Sequence, residues 1–137
     1  FLVMEYIEGE KISDWVNLLK GVGSAKKLKF IIKKILQDCY KLDRLGFDHG
    51  ELSNVSKHVI VGKTKSTLID FESSSTKRRP SNVTSITQAF FIGSGIARKT
   101  QKIYKIPPKE KIINALKQYK QEKSQENFEQ LLKILKL

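Results

Sequence analysis

Cysteine is almost missing from this sequence. Cys39 stands alone among 137 residues, so no internal disulfide can form and a reducing, cytoplasmic setting is expected. No apolar run reaches 18 residues, which argues against a membrane-spanning helix and predicts a protein without a membrane partner. No signal peptide leads the chain, which opens on Phe1-Leu2-Val3-Met4 with neither an initiator Met nor a polar lead-in. Arginine is scarce as well: 4 Arg stand beside 22 Lys, so recognition of phosphate by planar guanidinium forks has few residues to use. Acidic residues are outnumbered 14 to 26, leaving a net charge of +12. The excess is largest over residues 51–110, at +7. Such a balance concentrates polyanions near the surface, or simply reflects a lysine-rich solvated exterior. Interior linkers and internal repeats are also lacking, and 137 residues suit one domain of the usual roughly 100–150.

What is present is apolar periodicity along most of the length, which excludes disorder. Phe1 to Ile7 reads as a buried strand closed by Glu8-Gly9-Glu10. Ser13 is placed to cap a short helix with Ile12, Trp15, Val16 and Leu19 on one face, ended by Gly21. Ser24 is placed to cap a longer helix, whose face is Leu28, Ile31, Ile32, Ile35, Leu36, Cys39, Leu42 and Leu45, with Gly46 as its stop. Residues 47–57 read as irregular and polar. His58–Val61 and Thr67–Phe71 flank a Gly-containing turn and predict a β-hairpin. After a loop of small and basic residues, Asn82 is expected to cap a helix running through Gly93 and on past Gly95. Pro107-Pro108 separates this from a helix over 109–121, and Ser124 caps a last helix with Phe128, Leu131, Leu132 and Leu135 inward. The predicted class is α+β, mainly helical, with one central β-hairpin.

The chemistry-bearing stretch runs from Asp48-His49-Gly50-Glu51-Leu52-Ser53-Asn54 to Leu68-Ile69-Asp70-Phe71-Glu72. A helix end delivers a His-Gly-acid trio onto a loop, and an apolar strand then ends in Asp70. A carboxylate just past a buried strand is costly unless a cation or hydrogen bonds satisfy it. Two such carboxylates brought together suit a division of labour, one acid as base or orienter and the other as Mg²⁺ ligand.

These segments resemble the protein-kinase-like superfamily. His49-Gly50-Glu51-Leu52 is similar to the catalytic loop in the His-Gly-Asp form of RIO-type and other small atypical archaeal Ser/Thr kinases. Leu68 to Glu72 is similar to the strand leading into the Asp-Phe-Gly metal site, and Leu2 to Gly9 to the hinge between the two kinase lobes. The resemblance implies a kinase C-lobe over 1–137: hinge strand 1–9, helices within 11–46, catalytic loop and metal-site hairpin 47–72, helices within 82–137. It implies an ATP-dependent phosphotransferase, with Mg²⁺ as cofactor and a protein or RNA-associated substrate. Met4 would be the gatekeeper, with the Glu5 carbonyl and Ile7 N–H on adenine. Glu51 would orient the acceptor hydroxyl and take its proton, His49 would brace the loop, and Asp70 would bind Mg²⁺.

Four departures accompany the resemblance. Glu51 replaces Asp, which puts its carboxylate one methylene further out. The Asn that serves the second metal is missing: the position falls on Ser56 or on His58, a poor ligand for Mg²⁺, so either Asn54 or Ser56 substitutes or the second metal is lost. Glu72 replaces the Gly of the metal motif. No Gly-rich phosphate loop or Val-Ala-x-Lys strand is found, and Lys63 and Lys65 lie in the hairpin turn, so the N-lobe is expected upstream and the chain is expected to be inactive alone. The alternative functions are a small-molecule kinase of the aminoglycoside or sugar type, and a catalytically dead module binding RNA or a protein partner. Among single residues, Cys39 and Trp15 read as core, and His58 as a strand residue with a satisfied hydrogen bond. Lys77-Arg78-Arg79-Pro80 reads either as a phosphate or RNA grip or as a solvated loop.

Overall fold

In the computed structural model, residues 9–62, 66–69, 71–93 and 95–137 are described. The hinge strand Phe1–Ile7 with Met4, Glu5 and Ile7, the turn residues Lys63 and Lys65, and Asp70 therefore lie outside the described residues. The chain is mainly helical with a small three-stranded antiparallel sheet, an α+β arrangement. The sheet runs β1 (Glu10–Lys11), β2 (Val59–Val61), β3 (Ser66–Leu68). β2 and β3 form the expected hairpin, with Val59 opposite Leu68 and Val61 opposite Ser66. The third strand was not expected: Glu10 and Lys11 pair with Val61 and Ile60, so the hairpin is not the whole sheet.

Helix α1 (Ile12–Leu18) follows β1 directly and buries Ile12 and Val16, with Trp15 and Leu19 half-buried against the core. Helix α2 (Ser24–Arg44) is the axis of the molecule and packs on α4 (Asn82–Phe91), α5 (Gly95–Ile103) and β3. Its steps of three and four put Leu28, Ile31, Ile32, Ile35, Leu36 and Cys39 on one buried face. That face then rotates with the helical period onto Tyr40 and Asp43; Leu45, expected inside, is 78% exposed at the helix end. Helices α6 (Lys109–Gln121) and α7 (Gln125–Ile134) pair with each other, and Phe128 of α7 stacks on Tyr40 of α2 at 4.4 Å between ring centres.

Several expected caps are replaced. Ser13 lies within α1, whose N-cap is Lys11, and Ser24 is the first residue of α2 after Gly23. The Ser24 hydroxyl donates back to the Gly21 carbonyl, so it closes the preceding turn and does not serve the helix N–H groups. Ser124 does cap α7, accepting from the Asn127 N–H at 3.1 Å. Gly46 stops α2 as expected: it sits at φ +75, its N–H meets the Asp43 carbonyl, and the Phe47 N–H reaches the Leu42 carbonyl. That pair of bonds is the Schellman ending, which needs a left-handed residue. The continuous helix expected from Asn82 past Gly95 is two helices, because α4 ends at Phe91 and the chain turns through Ile92 and Gly93. Among the described residues, no helix is long and apolar enough to cross a membrane.

Candidate functional site

The site grows from the end of α2. After the turn at Gly46, Asp48 and Ser75 exchange two backbone hydrogen bonds of 2.9 Å, so the loop enters under the segment that follows the hairpin. His49 is then fully buried. Its N–H donates to the Asn82 side-chain oxygen at 2.8 Å, and its ring Nε2 lies 2.9 Å from the Ile69 carbonyl. The Glu51 N–H donates to the other ring nitrogen, Nδ1, at 3.3 Å. An acceptor role at Nδ1 and a carbonyl at Nε2 assign the proton to Nε2. One imidazole thus ties the loop carrying Glu51 to the strand end that precedes Asp70 in the chain.

Gly50 is required where it stands. It adopts φ +95, and an added Cβ would fall 2.6 Å from an Arg78 guanidinium nitrogen and 2.7 Å from the Ser73 carbonyl. Beyond it, Glu51 is half-buried, and the buried Leu52 and Val55 pin the loop that follows it. The segment expected to be irregular contains a helical turn, α3 (Val55–His58), opened by a bond from the Asn54 N–H to the Glu51 carbonyl. Asn54 and Ser56 line a cavity of about 260 Å³ with Ser53, Ser85 and Gln88, facing the α4–α5 junction. Neither Glu51 nor His49 is among its described walls, so the loop points its acid and its two amide and hydroxyl groups to different places.

His58 departs from its expected role. It ends α3 instead of joining β2, and it is buried with its ring edge against His49, 5.0 Å between centres. Its Nδ1 has no hydrogen-bond partner among the described residues. Phe71 closes the other side of His49 at 4.7 Å.

Two carboxylates given no role from the sequence, Asp43 and Asp48, hold this loop in place together with Asn82. Asp43, near the end of α2, is buried and accepts from the Asn82 N–H at 3.0 Å, the Asn82 side-chain amide at 2.9 Å, the Val83 N–H at 3.4 Å and the Tyr119 hydroxyl at 2.7 Å. Asp48 accepts from the Ser81 N–H at 3.1 Å and pairs with Arg78 at 3.0 Å. The N–H groups that open α4 are therefore satisfied by carboxylates from distant segments, which also suits the positive end of the helix dipole. Asn82, expected as a cap, is the first helical residue; its side chain instead joins Asp43, the Phe47 carbonyl and the His49 N–H. Arg78 also donates to the Ser73 carbonyl and Arg79 to the Lys120 carbonyl, so this basic loop is bound into the protein. The sequence signal was available in part: Asp48 adjoins the His-Gly-acid trio, and Asp43 sits one turn before it.

Local electrostatics follow the burial. Burial and the hydrogen bond to Asp43 push the Tyr119 hydroxyl far above its ordinary pKa, so it stays a donor. Burial, with Asp43 and Asp38 nearby, pushes the Cys39 thiol up, as its core role predicts.

No family model matches the chain. It is 31% identical over 97 residues to the uncharacterized protein MJ1211 of Methanocaldococcus jannaschii, covering 71% of this chain and 78% of that protein. The chain belongs to the family of that archaeal protein.

Proposed function

We propose that the chain is the C-lobe of a protein-kinase-like, ATP-dependent phosphotransferase of the atypical Ser/Thr type. The observation that supports this reading most is the double engagement of His49, whose ring contacts the Glu51 N–H on one side and the Ile69 carbonyl on the other. Phosphoryl transfer needs little covalent help from the protein and depends on holding acceptor and nucleotide in register. A buried, doubly bonded imidazole supplies that register between the loop acid and the acid after the hairpin. Glu51 orients the acceptor hydroxyl and accepts its proton; Met4, Glu5 and Ile7 meet the adenine.

Asp70 offers the oxygen chemistry that suits Mg²⁺, which commonly takes one or two carboxylates with water and substrate phosphates, whereas Asn54 and Ser56 line the cavity at the α4–α5 junction. Among the described residues no group of three or more His, Cys, Asp or Glu side chains gathers at one point. In this reading Asp70 would be the principal protein ligand, and the ion would supply charge neutralisation on the phosphates. The reading places the protein in the cytoplasm, without a membrane partner.

The test is Mg-ATP binding to the complete protein by calorimetry, comparing the native sequence with Asp70→Ala. The reading expects saturable binding that weakens at least tenfold in the variant. Equal affinity in both removes the metal role from Asp70, and absence of binding in both leaves a module that acts through contacts alone.

A further inference from the structure

Helix α2 carries a second feature that phosphotransfer does not use. At about 100° per residue, Lys26, Lys27, Lys33, Lys34, Lys41 and Arg44 fall within an arc of about 120° on the helix side opposite the core. No carboxylate shares that arc, because Asp43 is turned inward and Asp38 lies at its edge. Phe30 lies near the middle and is 51% exposed, with the Lys34 ammonium 5.5 Å over its ring. Gln37 lies between Phe30 and Lys41 on the same arc and lines a neighbouring groove of about 560 Å³ with Lys33 and Lys41. From Lys26 to Arg44 the row extends about 27 Å.

A solvated helix face ordinarily mixes charges of both signs, whereas this one is predominantly basic, with an exposed aromatic at its centre. Asp38 stands at its border beside Lys34 and Lys41, and Glu129 of α7 lies across the groove. In the basic loop after the hairpin, by contrast, Arg78 and Arg79 are already bonded to Asp48, Ser73 and Lys120. From these observations we infer that the exposed face of α2 binds single-stranded RNA, the lysines following the phosphates and Phe30 stacking on one unpaired base. The exposed aromatic favours an unpaired base, whose face is open to stacking, over a duplex whose bases are already stacked on one another. Insertion into a membrane surface takes an apolar face, and the apolar face of α2 is buried. Gln37 provides both a donor and an acceptor for a ribose 2′-hydroxyl, which favours RNA over DNA. This inference holds whether or not the chain transfers phosphate.

The test is fluorescence anisotropy of a labelled single-stranded RNA of about 12 nucleotides across a KCl series, using the complete protein. One variant replaces Lys26, Lys33, Lys34 and Lys41 by Gln. A second, matched in charge, replaces the exposed Lys109, Lys111, Lys117 and Lys120 of α6 by Gln; a third is Phe30→Ala. The α2 variant should lose affinity about tenfold or more and flatten the salt dependence by about two in slope, with the α6 variant close to native. Phe30→Ala should weaken binding about fivefold with the salt slope kept. Equal losses in the α2 and α6 variants would overturn the inference, as would no binding at low salt. So would tighter binding of duplex RNA, of single-stranded DNA, or of phosphatidylserine vesicles than of the single-stranded RNA.

Discussion

Tyr119 and Asp43 form the most consequential pair of side chains below the loop. A phenol whose pKa is raised by burial and by donation to a carboxylate binds its proton more tightly folded than unfolded. The unfolded tyrosine loses its proton near pH 10, so above that pH the folded state holds the extra proton and stability falls as pH rises. Native protein should therefore unfold at progressively lower urea above about pH 10, while Tyr119→Phe should start about 1–2 kcal/mol lower at pH 7 and show a shallower alkaline fall. Parallel pH profiles for the two would contradict the pairing. Tyr119 follows Ile112 and Leu116 at helical spacing, so its place on the inner face of that helix can be read from the sequence. Its hydroxyl partner cannot, because Asp43 is 76 residues away and periodicity carries no information about such a contact.

Among the elements, the long helix and the hairpin were readable because their patterns are local. The α2 face repeats at three and four, Gly46 ends it, and the β2–β3 pairing follows from two apolar runs around a turn. The start of α4 was misread for a physical reason. Asn82 has the residue type of a local cap, yet its side chain is already engaged, accepting from the His49 N–H and donating to Asp43 and the Phe47 carbonyl. The β1 pairing was hidden in a Glu-Lys dipeptide with no strand propensity, which forms only because β2 offers it an edge. Asp43→Ala should thus act on a whole element: it strips the acceptor from four buried donors and unties the start of α4 from the end of α2, freeing the Asn82 side chain that holds the His49 N–H. The expected cost is about 3 kcal/mol in urea unfolding, with faster amide exchange at His49 and Val83. A variant within half a kcal/mol of native would show that α4 is held by its apolar face alone.

Across the molecule, two surfaces emerge with separate structural foundations. One is the His49-centred loop, whose constellation was legible in the sequence by residue order and whose bracing was not. The other is the lysine face of α2, to which the net charge of +12 gave no address. The sequence placed the largest charge excess in residues 51–110, but the arginines of the basic loop there are occupied by Asp48 and by backbone carbonyls. Charge that looks available in sequence is available in space only where folding leaves it without an internal partner.

The central claim is that the Glu51 loop and the end of the hairpin form one nucleotide-metal site. Amide NMR spectra of the complete protein titrated with Mn-ATP test it directly, since the paramagnetic ion broadens the resonances nearest to it. The account predicts selective broadening at His49, Gly50, Glu51, Ile69 and Phe71, with α6 and α7 unaffected. Broadening confined to the lysine face of α2, or none at these five residues at saturating Mn-ATP, would contradict it.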